Sequence, residues 1–506
     1  MYSPLSPSSQ AFALESLEER KLMSTGPWVP FAQIIGQDQA FAAYPYLNGS
    51  NQDVAMIDRG VDYNHPQITP AKIAGGFNFR DNNYNVQDDY GHGTGVAGII
   101  AANPYNYGGY NQGVAPATHL VVLKQESSAN IKAALDWIIA YHAFYNIQVV
   151  NITDFVSEIQ PGAFNPDQYQ PELQTLYNLG IFLVSPVGNG ETFNNPSGNH
   201  TEIDLPAISP YVFGAGGSTL SDTMFADGRR GAGLDLLAPA ESVTMTYYTK
   251  NPAAAGLGFD QYDDNYTGTP VLVNYAIGTS WASAYTAGTA ALLKQINQAF
   301  TPAQISQILT STGSPVADNE NPSISWPRLN IMAALTKGFQ MADDAFLGNN
   351  SFSAAATIPI RSGKGSLSNL KLVIGHPDFY SFTVTKTGKV NINLTDYAVK
   401  PFTVLFDANH NVVKQLAVDT VAGNTLTLAP GKYYVYLTSP TTLPGNYSVT
   451  VSGGSSSIAT AGAVHPAAAG STTAAPAVNF GSVPIVLAAA ASNDVLNGKK
   501  DTSVFA

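Results

Sequence analysis

Short apolar runs alternate with longer segments of helical spacing between about residues 29 and 340. The runs are rich in β-branched residues and predict buried strands at Val54–Ile57, His119–Leu123, Val149–Ile152 and Ile181–Ser185. The longer segments predict helices at Gly93–Ala102, Ile131–Phe144 and Pro171–Leu179. Strands that alternate with helices indicate an α/β domain with a doubly wound, mostly parallel sheet, whose ligand sites lie at the carboxyl ends of its strands.

A different pattern follows from residue 352 to residue 453, where short runs alternate apolar and polar positions. The runs are FYSFTV, KVNINL, FTVLF, TLTLAP, KYYVYL and YSVTV. Turn sequences such as Pro430–Gly431 and Pro444–Gly445 separate several of them. This pattern predicts an antiparallel, all-β sandwich domain.

The patterns divide the 506-residue chain, which is too long for one ordinary domain, into four parts. We expect a leader at 1–28, the α/β domain at 29–340, the sandwich domain at 341–453 and a low-complexity tail at 454–506. The tail consists mainly of Ser, Ala, Thr, Gly and Pro, a composition typical of linkers.

Composition and charge exclude several classes of function. The net charge of −13 argues against nucleic acid or an anionic membrane as the main partner. The absence of cysteine excludes disulfides, thiolate chemistry and Cys-ligated zinc. No apolar run reaches the roughly 18–20 residues of a transmembrane helix, and no ordinary signal peptide is visible.

Three segments far apart in the chain each carry one member of a Ser-His-Asp triad. Asp58 closes an apolar run, His92 opens the helical segment of GHGTGVAG, and Ser280 opens that of GTSWAS. A serine hydroxyl becomes nucleophilic when an imidazole takes its proton, and a carboxylate fixes the tautomer of that imidazole. The three segments therefore predict hydrolysis by acyl transfer.

These segments resemble the motifs of the subtilisin-like serine proteases, the subtilase or peptidase S8 family. The sequence DRG at Asp58 is similar to the aspartate segment of that family, and the surroundings of His92 and Ser280 are similar to its histidine and nucleophile motifs. The sequence PVGNG resembles the oxyanion segment and places Asn189 there. The order of the segments is the one that subtilisin has.

The resemblance implies a serine endopeptidase and assigns its site residues. Ser280 would attack the scissile carbonyl, His92 would act as general base and then general acid, and Asp58 would orient His92. The Asn189 amide and the Ser280 backbone N–H would stabilise the oxyanion. The implied substrate-binding residues are Thr153, Asp154, Phe155, Pro186, Val187 and Gly188.

Neighbouring residues offer alternatives for each member of the triad. Asp62 could replace Asp58, although a turn carboxylate is the simpler interpretation. His65 precedes a proline and His119 begins a strand, which favours structural roles for both. Ser283 shares a helix start with the nucleophile motif, but it does not follow Gly-Thr as the motif requires. Asn189, between two glycines, could itself be only a turn residue.

Several residues depart from the family pattern. Arg59 stands where the family has Ser or Thr, Gly95 replaces the second histidine of its motif, and Trp281 replaces a methionine. Phe155 replaces a glycine beside which the substrate backbone lies. Phe155 and Arg59 in particular motivate an alternative function, a catalytically impaired subtilase-fold protein that acts as a surface binding or adhesion module.

The expected partners are protein or peptide substrates, with neither nucleic acid nor a transmembrane segment, and the expected oligomeric state is a monomer. No cofactor or metal ligand is assigned. Gln67 stands where the family often has a calcium-ligating aspartate, although carbonyl oxygens of the loop Asn103–Gln112 could still hold a structural calcium ion.

The sequence HPDFYSFTV in the predicted sandwich resembles a strand of the bacterial pre-peptidase C-terminal domain. Ala13–Ser24 resembles an N-terminal segment of large bacterial surface proteins, or is a leader without function. The resemblances imply a bacterial protein that is secreted or held at the cell surface through its C-terminal region. Phe379, Tyr433 and Tyr436 are expected to fill the sandwich core rather than to form a sugar-binding platform.

Overall fold

The computed structural model describes residues 30–104, 112–153, 168–190, 203–241, 243–246, 273–346, 348–397, 400–418, 423–439, 445–454 and 458–459. Its helices are α1 (Pro30–Ile34), α2 (Gln37–Ala43), α3 (His92–Ala101), α4 (Ser128–Tyr141), α5 (Gln170–Asn178), α6 (Thr279–Ile296), α7 (Pro302–Thr312) and α8 (Ile331–Ala342). Within these ranges, no helix combines the length and the apolar character needed to cross a bilayer.

One nine-stranded sheet forms the centre of the first part of the chain. Its strands are β1 (Asp53–Asp58), β2 (Ile73–Asn78), β3 (His119–Lys124), β4 (Ile147–Ile152), β5 (Phe182–Pro186), β6 (Phe213–Ser218), β7 (Leu236–Pro239), β10 (Ser314–Ala317) and β11 (Ser325–Arg328), and a separate antiparallel pair consists of β8 (Val243–Met245) and β9 (Val273–Ala276). The order is β10-β11-β7-β6-β5-β4-β1-β3-β2. All neighbours are parallel except the β10–β11 hairpin. The predicted mostly parallel α/β fold is confirmed.

The topology explains where a site can form in this sheet. Strand β1 lies between β3 and β4, so the chain connections diverge to either side of it. A crevice opens beyond the carboxyl end of a parallel strand at such a point. Asp58 is the last residue of β1 and therefore lies in the crevice.

Two helices pass through the interior of the α/β part. Every residue of α6 is buried, and so is every residue of α3 except His92. Their small residues allow close packing: a Cβ at Gly98 would lie 2.0 Å from Thr246 Oγ1, and one at Gly288 would lie 2.7 Å from Val114 Cβ. Both helices begin at the carboxyl end of the sheet, so their first residues reach the crevice.

The second part of the chain is a sandwich of two sheets. Its strands are β12 (Ala356–Thr357), β13 (Ile360–Arg361), β14 (Lys364–Leu372), β15 (Asp378–Val384), β16 (Gly388–Thr395), β17 (Phe402–Phe406), β18 (Val412–Gln415), β19 (Asn424–Leu428), β20 (Gly431–Thr438), β21 (Gly445–Gly453) and β22 (Ile458–Ala459). One sheet has the order β12-β15-β20-β17-β18 with β22 beside β15, and the other has the order β13-β14-β21-β16-β19. The six predicted runs are strands β15, β16, β17, β19, β20 and β21, and the all-β sandwich is confirmed.

The three aromatic residues expected in the sandwich core are all buried, but they divide between two clusters. Tyr433 packs in the core between the sheets. Phe379 and Tyr436 belong to a second cluster with Phe406 and Phe352. Successive residues of a strand point to opposite faces, so this second cluster lies on the outer face of the six-stranded sheet.

The loop between β14 and β15 packs against the α/β part. Val373 belongs to the core of that part, and Gly375 lies against the ring of Tyr46. The His376 ring stacks on Phe339 of α8, with ring centroids 4.0 Å apart and planes inclined by 17°. A histidine side chain is thus enclosed where the two parts meet.

Burial lowers the pKa of His376 to about 4. An unfolded chain protonates this histidine near pH 6.5, whereas the folded chain does not, so the contribution of His376 to folding stability falls as pH decreases from about 6.5 toward 4. His376→Phe is expected to be more stable, relative to the wild type, at pH 5 than at pH 7.5. Denaturant unfolding of both proteins at the two pH values measures this difference, and a difference independent of pH would contradict the prediction.

Candidate active site

Asp58 and His92 form a closely coupled pair at the carboxyl end of β1. Asp58 is fully buried, and its two carboxylate oxygens lie 2.9 and 3.0 Å from Nδ1 of His92. The Thr153 hydroxyl and the Arg59 backbone N–H also donate to this carboxylate. Burial by itself would raise the pKa of Asp58, but His92 and these donors leave that pKa lowered. The carboxylate therefore stays ionised at neutral pH and fixes the orientation of the imidazole.

Asp88 holds the turn that presents His92. Its carboxylate accepts hydrogen bonds from the backbone N–H groups of Tyr90, Gly91 and Thr94, at 2.8 to 2.9 Å. The Thr94 N–H belongs to the first turn of α3, where a helix leaves N–H groups without intrahelical acceptors, and the other two N–H groups directly precede that helix. The sequence analysis missed Asp88, although an aspartate just before a predicted helix start is a recognisable capping signal.

Ser280 lies at the start of α6, directly before the residue whose ring packs on His92. It is the second residue of the helix and is 4% exposed. Trp281, which follows it, places its ring 5.1 Å from the His92 ring, with planes inclined by 37°. The N–H groups of a first helical turn have no intrahelical acceptor and carry the positive end of the helix dipole. An anion formed at Ser280 would therefore meet a favourable field.

Two departures from the family pattern, Trp281 and Gly95, are explained together. A Cβ at Gly95 would lie 2.9 Å from Trp281 Cζ3 and 2.4 Å from Met245 Sδ. A side chain at position 95 would therefore collide with the indole ring. The missing histidine makes room for the tryptophan, which in turn packs on His92.

The third departure, Arg59, directs its charge to the rim of the crevice. Its guanidinium pairs with Glu126 at 3.1 Å and lies 5.4 Å from the centre of the Tyr90 ring. Arg59 contacts Asp58 through a hydrogen bond from the Arg59 backbone N–H to Asp58 Oδ1. The large cation is thus compatible with the Asp58–His92 pair.

Asn189 lies across the crevice and is oriented by the start of α6. Its Oδ1 accepts hydrogen bonds from the backbone N–H of Thr279 at 3.0 Å and from the Thr279 hydroxyl at 3.1 Å. Since Oδ1 is engaged in this way, Nδ2 is the atom that can donate to another group. A Cβ at Gly278 would lie 3.6 Å from Nδ2, which shows how closely the amide approaches the residues before Ser280.

The predicted substrate-binding residues differ in burial and contacts, and two of them lie outside the described residues. Thr153 directs its hydroxyl to Asp58, and Asp154 and Phe155 lie outside the described residues. Pro186 ends β5 and is buried, and the Val187 side chain packs in a core cluster. Direct contact of a substrate with residues 186–187 would therefore involve their backbone.

Gly188 occupies a position that a larger residue could not. Its φ of 101° is in the left-handed region, and a Cβ there would lie 2.0 Å from Asp204 Oδ2. Glycine at this position lets the chain pass over a buried carboxylate and deliver Asn189 to the crevice.

The alternative triad residues are engaged elsewhere. Asp62 accepts from the Asn64 backbone N–H and the Gln87 amide, as a turn carboxylate does. Burial lowers the pKa of His65 to about 4. His119 pairs with Asp53, at the opposite end of β1 from Asp58. The Ser283 hydroxyl donates to the Ser280 carbonyl at 2.8 Å.

Gln67, which stands where the family often has a calcium ligand, is hydrogen-bonded to the described part of the loop that begins at Asn103. The Gln67 amide donates to the Asn103 carbonyl at 3.1 Å, and residues 105–111 of the loop lie outside the described ranges. Among the residues that the structure describes, no three His, Cys, Asp or Glu side chains group so that they could hold a metal ion.

The first part of the chain is similar in sequence to known serine proteases. The model of the subtilase family matches residues 49–344. The chain is 29% identical over 293 residues to the thermophilic serine proteinase of Bacillus sp. strain AK1, with 57% of this chain covered. It is 30% identical over 208 residues to the major intracellular serine protease of Bacillus subtilis strain 168, with 40% of this chain covered. Each match spans 62% of the relative's own length.

Two solved structures are also similar to the chain. One is MycP1 with its N-terminal propeptide removed, at 24% identity and a TM-score of 0.47, covering 60% of this chain and 96% of that one. The other is a cold-adapted subtilisin-like serine proteinase, at 23% identity and a TM-score of 0.42, covering 56% of this chain and 89% of that one.

Proposed function

Because this chain belongs to the subtilase family of serine proteases, we propose that it is an endopeptidase that cleaves protein or peptide substrates through a Ser280–His92–Asp58 triad. The observation that carries the proposal is the double contact of the Asp58 carboxylate with His92 Nδ1, at 2.9 and 3.0 Å. That contact leaves Nε2 of the same ring to exchange a proton at the start of α6.

The proposed reaction has two steps. His92 Nε2 takes the proton of the Ser280 hydroxyl while the serine oxygen bonds to the carbonyl carbon of the peptide, and the imidazolium then gives that proton to the leaving amine. An acyl-enzyme ester remains on Ser280. Water next attacks the ester, and His92 takes a proton from that water. The bond between the acyl carbon and the serine oxygen then breaks, and the imidazolium returns the proton to the serine oxygen, which restores the starting state.

Asn189→Ala is expected to lower kcat by about 10²- to 10³-fold with a much smaller change in KM, because a donor aimed at the oxyanion acts mainly in the transition state. Steady-state kinetics on a fluorogenic peptide measure both constants. The control is Asn424→Ala in the β-sandwich. It also removes a buried side-chain amide, one that hydrogen-bonds the backbone of Ala417. Asn189→Ala with unchanged kcat would remove Asn189 from the proposed oxyanion site.

The decisive test of the proposal combines active-site labelling with cleavage of a peptide library. A fluorophosphonate should form one adduct, at Ser280, and the library should be cleaved at internal bonds. Folded protein that neither reacts nor cleaves would overturn the proposal and favour the binding or adhesion module. Cleavage confined to terminal residues would overturn the endopeptidase assignment alone.

We further propose that the chain acts outside the cell as a monomer. The support is the resemblance of its β-sandwich to a domain found at the ends of secreted peptidases. The similar proteins do not share one location, since one of them is named an intracellular protease. Peptidase activity recovered only from the cell interior would contradict this location.

A further inference from the structure

We propose that Arg229 is a positioning residue for the Asn189 amide, an inference that rests on the proposed function. Arg229 Nε donates to the Asn189 carbonyl at 3.0 Å, and the Arg229 backbone N–H donates to the Gly188 carbonyl at 3.1 Å. One residue thus holds the two peptide carbonyls on either side of the Asn189 Cα.

The loop that carries Arg229 supports the same segment through its backbone. Asn189 forms a β-bridge with Gly228, and the Gly190 N–H donates to the Asp227 carbonyl at 2.6 Å. Residues 227–229 therefore form a backing for residues 188–190. Within residues 227–229, the Arg229 guanidinium is held in addition by an ion pair.

A buried ion pair fixes the guanidinium. Arg229 Nη1 lies 3.2 Å from Asp204 Oδ1, and the two side chains are 11% and 2% exposed. Asp204 is itself tied to the site, because its N–H donates to the Val187 carbonyl and its carboxylate lies directly beneath Gly188. A charge pair so far from water is costly to separate, which makes its geometry rigid.

The chemistry of the guanidinium suits this role. Its planar shape lets Nε donate to the Asn189 carbonyl while Nη1 forms an ion pair with the Asp204 carboxylate, in a fixed relative orientation. A lysine ammonium in the same space is a single point and cannot reproduce both contacts in that geometry. Replacing arginine by lysine therefore tests geometry while the charge is kept.

Asn189 is consequently held at two points, one on its side chain and one on its backbone. Thr279 fixes the side-chain oxygen, and Arg229 fixes the backbone carbonyl. An oxyanion donor is effective only where its position is set before charge develops, and a displacement of about 1 Å is enough to lose much of its effect. Arg229 would therefore contribute to turnover without contacting the substrate.

The test is a double-mutant cycle between positions 229 and 189. Arg229→Met is expected to lower kcat by about 10- to 100-fold with little change in KM, and Arg229→Lys is expected to fall between Arg229→Met and the wild type. In the Asn189→Ala background, Arg229→Met should cost less than about threefold, because the group that it positions is already gone.

Arg328→Met is the matched control. Arg328 is also buried and ion-paired, to Asp222 at 2.7 Å, and it lies on β11. Its replacement should lower the Tm but change kcat by less than about threefold. Thermal unfolding of each variant separates loss of fold from loss of function, and Arg229→Lys carries the test if Arg229→Met does not fold.

The outcomes separate the two proposals. Equal losses from Arg229→Met in the wild-type and Asn189→Ala backgrounds, or Arg229→Lys with wild-type kcat, would overturn the role of Arg229 alone. A wild-type protein that neither labels with fluorophosphonate nor cleaves peptides would overturn the proposed function, and the role of Arg229 with it.

Discussion

Ser280→Ala is expected to lower kcat for peptide hydrolysis by on the order of 10⁶-fold, the size of loss found when the nucleophile of such a triad is removed. Without the hydroxyl oxygen no acyl-enzyme can form, and the remaining donors can only assist attack by water. Kinetics on a fluorogenic peptide, with active-site labelling in parallel, measure the loss. The fold should persist, because removal of one oxygen leaves the packing of α6 intact.

Ser283→Ala is the matched control for that experiment. Ser283 lies one turn further along α6, is fully buried, and donates its hydroxyl to the Ser280 carbonyl. Its replacement should leave kcat within about fivefold of the wild type, since surrounding packing is unchanged. A Ser280→Ala protein as active as the wild type would exclude Ser280 as the nucleophile.

Asp58→Asn is expected to lower kcat by on the order of 10⁴-fold, because the carboxylate holds the His92 tautomer and stabilises the imidazolium. An amide presents an N–H group to one of the three donors that face the present carboxylate, which are the Thr153 hydroxyl, the Arg59 backbone N–H and the His92 ring. The ring then loses its orientation or adopts the wrong tautomer. The pH dependence of kcat/KM and of the rate of fluorophosphonate labelling should both change.

Asp62→Asn provides the comparison for Asp58→Asn. Asp62 is also largely buried near the crevice, but its carboxylate accepts from the Asn64 backbone N–H, two residues later, and from the Gln87 side-chain amide. Its replacement should cost less than about tenfold in kcat. Should Asp62→Asn prove as damaging as Asp58→Asn, the assignment of the catalytic carboxylate would have to be revised.

The fold class could be predicted from the amino-acid sequence without a structure, and the motifs named Asp58, His92 and Ser280 as candidate residues. Strands and helices follow from the spacing of apolar residues over short stretches, and that spacing is visible without any tertiary contact. The three candidate residues also stand at predicted junctions of strand, loop and helix. Asp58 closes a predicted strand of the parallel sheet, so it was expected at the edge where ligand sites lie.

Tertiary structure alone decided which side chains support those three. Thr153 contacts Asp58 because β4 lies beside β1, and Gly95 is required because Trp281 of another helix fills the space above it. Arg229 reaches Asn189 across 40 residues of sequence. No local pattern encodes such contacts, because they depend on how distant segments pack. The apolar pattern therefore predicts the fold, the motifs name the candidate residues, and only the packed molecule shows what holds those residues in place.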